Sequence, residues 1–272
     1  MKTRIIAAGV LVPLLLIIVL TLPKAFTAIL FGLMAAIAAY ELLTGTGYLR
    51  HPRLVAYSMI MAFLTSLWSY NGMPYAWGLL GILLFTMALF AEMMVSHVKL
   101  KFQKVLPCFA AGLLIPFLLT SLVRIHAEDG TGRYFVMIPF IMAFLSDTGA
   151  YFAGKYLGKH KLAPVISPNK TIEGVVGGIL GAILGMVIYT FILRIAFDFQ
   201  VNYLFAILYG LLGSAGAVFG DLSFSVIKRQ TGIKDYGNLI PGHGGILDRF
   251  DSMMIVGPLA ELLLILIPVA VL

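Results

Sequence analysis

The residues able to do chemistry crowd into the second half of the chain. One run holds Asp221, Ser223 and Ser225, then Lys228–Arg229, Lys234–Asp235, His243–Gly244–Gly245, and finally Asp248, Arg249 and Asp251. A second, over residues 167–174, reads Ser-Pro-Asn-Lys-Thr-Ile-Glu-Gly and carries Lys170. A third acid, Asp147, stands between Ser146 and Thr148 in an otherwise apolar stretch. A carboxylate at a membrane edge is costly unless paired or bound to a cation. Several acids without a matching histidine–cysteine set suit a hard cation held by oxygen, such as Mg²⁺. Neighbouring Lys and Arg side chains then cradle phosphate oxygens, and the glycines beside His243 let backbone approach a ligand closely. Carboxylates, cation and bases together describe phosphoryl or nucleotidyl transfer, with the substrate left open by the spacing.

Each group also has a plainer reading. Asp147 could satisfy a neighbouring helix. Asp221 and Asp248 could be helix caps or ion-pair partners of Lys228 and Arg249. His243 could hydrogen-bond only backbone, and Lys155, Lys159 and Lys161 read as loop charges that set topology. Glu261 has no assigned role. Cys108, the single cysteine, excludes an intrachain disulfide and a cysteine zinc cluster and reads as a small buried hydrophobe.

The elements that position these residues must lie in a bilayer. Of 272 residues, 61% are hydrophobic and 11% charged, and the mean hydropathy is +1.01. A water-soluble domain has about 25% charged residues and cannot hide so much apolar surface. Nine stretches approach the length of a spanning helix: residues 5–22, 25–43, 54–68, 75–95, 105–123, 134–153, 172–196, 203–220 and 253–272. The third is short enough to be tilted or interfacial. The first follows Lys2 and Arg4 like a secretion signal but lacks a small-residue cleavage site, so it reads as an uncleaved helix. The expected fold is an all-α polytopic bundle of about nine transmembrane helices in a single domain, with residues 1–100 as scaffold half and 101–272 as catalytic half.

With nine spans, 15 of the 19 Lys and Arg residues share the side of the N-terminus, leaving Lys24, Arg124, Arg133 and Arg194 opposite. The positive-inside rule then makes the N-terminus and the polar loops cytoplasmic. It also accounts for the net charge of +7 without nucleic acid as a partner. Asp147, Lys170, Asp221 and Asp251 all fall next to that face. If helical, Asp221 with Ser225 and Asp248 with Asp251 each share a face. Gly177, Gly181 and Gly185 recur every fourth residue, a stripe that lets helices touch, within one chain in preference to a dimer seam. No glycine-rich piece matches a P-loop or dinucleotide fingerprint.

At this point the residues resemble a known family. Ser225, Lys228, Arg229, Lys234, Asp235, His243, Gly244, Gly245, Asp248, Arg249 and Asp251 fill every position of the pattern that marks the phosphatidate cytidylyltransferases, or CDP-diacylglycerol synthases. Residues 167–174 resemble that family's Ser-Pro-x-Lys-Thr-x-Glu-Gly element, with Asn169 at the variable place. The resemblance implies that CTP and phosphatidic acid give CDP-diacylglycerol and pyrophosphate. It implies a multi-pass enzyme of the cell (inner) membrane, often a homodimer among membrane lipids, with its active site toward the cytoplasm. It also implies Mg²⁺, with a second cation left open, and maps the metal positions onto Asp221 and Asp248. Asp147 is a further metal candidate. Lys228, Arg249, Asp251 and His243 join the two aspartates as catalytic candidates, His243 loosely. Lys170, Ser223, Ser225, Arg229, Lys234, Gly244 and Gly245 are candidates to contact nucleotide, phosphate or cation. The alternatives are a related CTP-dependent lipid transferase, a CTP-dependent lipid kinase releasing CDP, and a secondary transporter. Against the transporter, the acids lie toward one face and no paired broken helices are evident.

Overall fold

The structure is a computed structural model. It describes residues 2–271 apart from Tyr48, Arg50, Gly72, Met73, Lys99, Pro241 and His243, and describes only the backbone of residues 2–8 and 10–12. The candidate His243 therefore lies outside the described residues, as do the topology-setting Arg50 and Lys99.

Among the described residues, helix is found in each of the nine stretches, though not always to the expected bounds. The elements are α1 (Lys2–Thr21), α2 (Lys24–Tyr40) running into a π turn (Glu41–Gly45), α3 (Pro52–Asn71) and α4 (Tyr75–Val95). Then α5 (Phe102–Phe109), a π turn (Ala110–Leu114), α6 (Ile115–Leu119) and α7 (Ser121–Ala127) form one interrupted segment. They are followed by α8 (Gly132–Phe135), α9 (Met137–Leu157), α10 (Ile172–Phe197), α11 (Tyr203–Gln230), α12 (Leu247–Phe250) and α13 (Met253–Leu266). Among the described residues, six helical segments are long and apolar enough to cross a membrane: Lys24–Gly45, Tyr75–Val95, Phe102–Ala127, Gly132–Leu157, Ile172–Phe197 and Tyr203–Gln230. The chain is a helical membrane protein.

Two expectations need correction. The eighth stretch does not stop at Gly220: α11 continues to Gln230, so Asp221, Ser223, Ser225, Lys228 and Arg229 are helical. The last stretch stops at Leu266, and β4 (Ala270–Val271) pairs antiparallel with β3 (Gln200–Val201). Beside the helices, consistent with the all-α expectation, stands a short hairpin of β1 (Lys161–Ala163) and β2 (Ser167–Thr171), with register Lys161 to Thr171 and Ala163 to Ser167.

The chain divides into two compact units, residues 1–127 with 230–250, and residues 128–229 with 251–272. In the first, α2 is the core helix; two-thirds of its apolar window is buried, against 22% for α4. The hydroxyls that lower the hydropathy of α3 are satisfied inside the unit: Ser58 and Thr65 donate to carbonyls four residues back, and Ser66 to Ala28 O at 2.7 Å. The exposed leucines and methionines of α4 form an apolar face suited to lipid. In the second unit the stripe Gly177–Gly181–Gly185 seats α10 against Leu145, Gly149 and Ala153 of α9, the packing within one chain that the spacing suggested. Ser146 Oγ and Ser214 Oγ, 2.8 Å apart, tie α9 to α11, and Gly216 lets α11 meet Leu259 of α13.

Candidate active site

In the second unit the site is built on one face of α11. Asp221, Ser225 and Lys228 are spaced by four and then three residues, so they stack along one side of the helix. Ser225 Oγ donates to Asp221 Oδ1 at 3.1 Å. The other carboxylate oxygen, Oδ2, faces Lys170 Nζ at 2.7 Å, with 22% of the Lys170 and 34% of the Asp221 side chain exposed. One turn on, buried Lys228 lies 3.8 Å from Asp251 Oδ2, while Asp251 Oδ1 accepts from the Ser252 amide at 2.8 Å. Gly220 has no side chain to hold α11 away from the backbone of Asp251 and Ser252.

Lys170 reaches α11 because the hairpin is pinned. It precedes Thr171, the N-cap of α10, whose Oγ1 accepts from the Gly174 amide at 3.1 Å. Glu173 accepts from the Lys159 and His160 amides and contacts His160 Nδ1 at 2.6 Å. Lys161 Nζ donates to Pro168 O, and Arg229 Nε donates to Ile166 O at 3.2 Å, joining the end of α11 to the hairpin. Ser223 Oγ is spent on Phe219 O at 2.8 Å. Asp147 is exposed on α9, beside the buried Ser146.

The first unit has a cluster of its own, a loop held by carboxylates. Asp248, 5% exposed, accepts at Oδ2 from the amides of Tyr236 at 2.8 Å and Gly245 at 3.0 Å. Gly244 adopts φ +88°, a left-handed conformation that favours glycine, and bridges to Ile240. Lys234 and Arg249 are exposed. Helix α12 ends at Phe250, so the helical pairing expected for Asp248 and Asp251 does not form. Asp248 takes loop amides, while Asp251 takes the Ser252 amide and faces Lys228.

The residue that the motifs miss is Glu41. It is 4% exposed, and its two carboxylate oxygens accept from the amides of Ile246 at 3.0 Å and Leu247 at 2.8 Å. Its signal was present: one acid inside the apolar stretch 25–43, where a charge is expensive. Reading residues 1–100 as scaffold passes over it.

Among the described residues no group of three or more His, Cys, Asp or Glu side chains is arranged to hold a metal ion. The oxygen donors are nevertheless of the hard type, and Mg²⁺ is commonly held by one or two carboxylates with water and substrate phosphate completing its shell. The carboxylates of Asp221, in the second unit, and Asp248, in the first, are each donors of that hard type.

Part of the chain is similar to proteins of named activity. Over 140 residues the chain is 44% identical to the phosphatidate cytidylyltransferase of Staphylococcus haemolyticus, covering 52% of each protein. The enzyme of that name from Staphylococcus saprophyticus is 42% identical over 141 residues, covering 52% of this chain and 53% of the relative. That of Staphylococcus aureus strain COL is 45% identical over 134 residues, covering 49% and 50%. The chain thus spans about half the length of the curated relatives it matches. The pattern described as the cytidylyltransferase family, by contrast, matches residues 2–267. With a match over nearly its whole length, this chain belongs to the cytidylyltransferase family.

Proposed function

We propose that the protein is a phosphatidate cytidylyltransferase, a nucleotidyltransferase that joins CMP from CTP to phosphatidic acid and releases pyrophosphate. The observation that carries this reading is the face of α11, where Asp221 meets Lys170 and Lys228 meets Asp251 in a chain of this family. Such alternation of carboxylate and ammonium suits a substrate pair bearing several phosphates and the cation that accompanies them.

A phosphate oxygen of the lipid attacks the α-phosphorus of CTP in line. The new P–O bond forms as the bond to the β-phosphate oxygen breaks, and the electron pair leaves on pyrophosphate. A phosphate monoester has a second pKa of about 6 and is largely ionised at neutral pH, so no general base is required. Lys170, Lys228, Lys234 and Arg249 are the proposed phosphate holders, with Arg229, Gly244 and Gly245 at the nucleotide. Ser225 keeps the Asp221 carboxylate turned toward its partner. Asp221 and Asp248 are the proposed donors to Mg²⁺, with Asp147 a further candidate. When bound, the ion offsets the charge of the attacking and leaving oxygens. His243 and Asp251 complete the set, the latter by holding Lys228 in place.

The charge bias of the loops supports about nine crossings, a cytoplasmic N-terminus and a site facing the cytoplasm, where CTP is found and the lipid presents its phosphate. The cell membrane of a bacterium is the proposed location, and a homodimer is retained on family resemblance. Purified protein given CTP, phosphatidic acid and Mg²⁺ is expected to form CDP-diacylglycerol and pyrophosphate, and to stop when the cation is chelated. Release of CDP, or lipid-phosphate transport without nucleotide, would overturn the assignment.

A further inference from the structure

Glu41 is separated by 205 residues from the first amide it accepts. Burying a carboxylate costs several kcal/mol unless hydrogen bonds replace its water. Here they do, and all come from one place: three consecutive amides, of Gly245, Ile246 and Leu247, point at Asp248 Oδ2, Glu41 Oε1 and Glu41 Oε2 respectively. Side-chain space around Glu41 is closed from two directions. A methyl group at Gly237 or at Gly245 would overlap its carboxylate. The acid sits where α2 widens into its π turn, a local change of pitch that is often found at functional positions. The hydroxyls of Thr44 and Thr46 bond back to Tyr40 O and Leu42 O within the same turn.

We propose that Glu41 is a positioning residue: its carboxylate anchors the amides of Ile246 and Leu247 and thereby sets the loop 236–248 that carries Gly244, Gly245 and Asp248 toward the nucleotide. The kinetic part rests on the functional reading above; the anchoring part does not. Glutamine keeps the size of Glu41 but presents a donor where one of the two amides needs an acceptor. Only the carboxylate satisfies both.

Amide hydrogen exchange in detergent tests the anchor directly. In Glu41→Gln, peptides covering 236–248 are expected to exchange about tenfold faster, the size expected for losing a hydrogen bond to a charged acceptor, while those of α9 and α10 stay as in wild type. Glu92→Gln removes another buried acid of the same unit, one that pairs with Arg53; it should leave exchange in 236–248 unchanged. In the cytidylyltransferase assay Glu41→Gln is expected to raise KM for CTP about tenfold, on the same hydrogen-bond arithmetic, with KM for phosphatidic acid unmoved. A partly unfolded population would lower kcat and leave both KM values alone. Should Glu41→Gln fail to accumulate, Gly237→Ala crowds the same carboxylate from a position outside the proposed nucleotide contacts and carries the same measurements. Wild-type exchange in 236–248 overturns the anchor, and a wild-type KM for CTP overturns the positioning role. A wild-type protein that makes no CDP-diacylglycerol overturns the functional reading instead, and the exchange measurement still decides the anchor.

Discussion

Asp221 and Asp248 are the same residue type in the same polar run of the sequence, held by opposite physics in two different units. Asp221 is about one-third exposed and is neutralised by an ammonium group, Lys170 Nζ at 2.7 Å, with a serine hydroxyl on its other oxygen. Asp248 is buried, and two backbone amides supply its compensation. A charge-paired carboxylate near solvent can exchange its partner for another cation at modest cost, because a partly exposed ion pair contributes little net stability. A carboxylate held by buried amides cannot leave without stranding them, so it also serves as a structural tie. One aspartate is equipped to change partners and the other to stay.

The largest expected effect probes what the two share. Asp221→Asn and Asp248→Asn should each abolish CDP-diacylglycerol formation in membranes that contain normal amounts of protein; near-normal turnover in either removes it from the proposed metal set. Stability then separates them. Asp248→Ala strands the amides of Tyr236 and Gly245, each a loss of about 1–3 kcal/mol when buried, and should lower the unfolding midpoint in detergent clearly. Asp221→Ala should shift it by less than about 1 kcal/mol. Equal shifts would erase the contrast.

Lys228→Met comes next. Its pair with Asp251 is nearly buried, at 10% and 12% side-chain exposure, and removing one partner of such a pair costs about 3 kcal/mol. That loss should be visible as destabilisation as well as reduced turnover. Lys170→Met should lower kcat/KM for CTP by about tenfold, the scale of one charge-assisted phosphate contact, with little change in unfolding. The smallest effect is expected from Arg229→Ala. Its side chain is exposed and donates to the carbonyl of Ile166, a bond worth about 1 kcal/mol. A loss of nucleotide affinity there, without loss of stability, would support its proposed place at the nucleotide; unchanged affinity would remove it from the set.

Much of this molecule was legible in the chain itself. Residues 75–95 form a helix with the expected bounds, because an uninterrupted apolar run of that length has one good solution in lipid, where every backbone group must be satisfied within the helix. The glycine stripe of α10 likewise foretold close packing. The motif residues gave a roster of side chains able to do chemistry, since residue types and spacing are local properties. Less legible was the continuation of α11 past Gly220. Its polar residues interrupt the apolar run, yet Asp221, Ser225 and Lys228 lie on one side of a helix whose neighbouring positions still pack. Helix α13 ends early, where the strand pairing of Ala270–Val271 takes over, and no local pattern announces a two-residue bridge.

What composition, periodicity and motif determined by themselves was the solvent, the positions of the helices and the roster of reactive groups. These follow from the cost of polar atoms in lipid and from the chemistry of side chains. The partners of those groups were decided only by tertiary structure. Lys170 against Asp221, the amides of Tyr236 and Gly245 against Asp248, and Glu41 under the loop all join residues that the chain holds apart. The reason is that a buried charge takes whatever donors folding brings within hydrogen-bond reach, and spacing along a chain does not encode which donors those are.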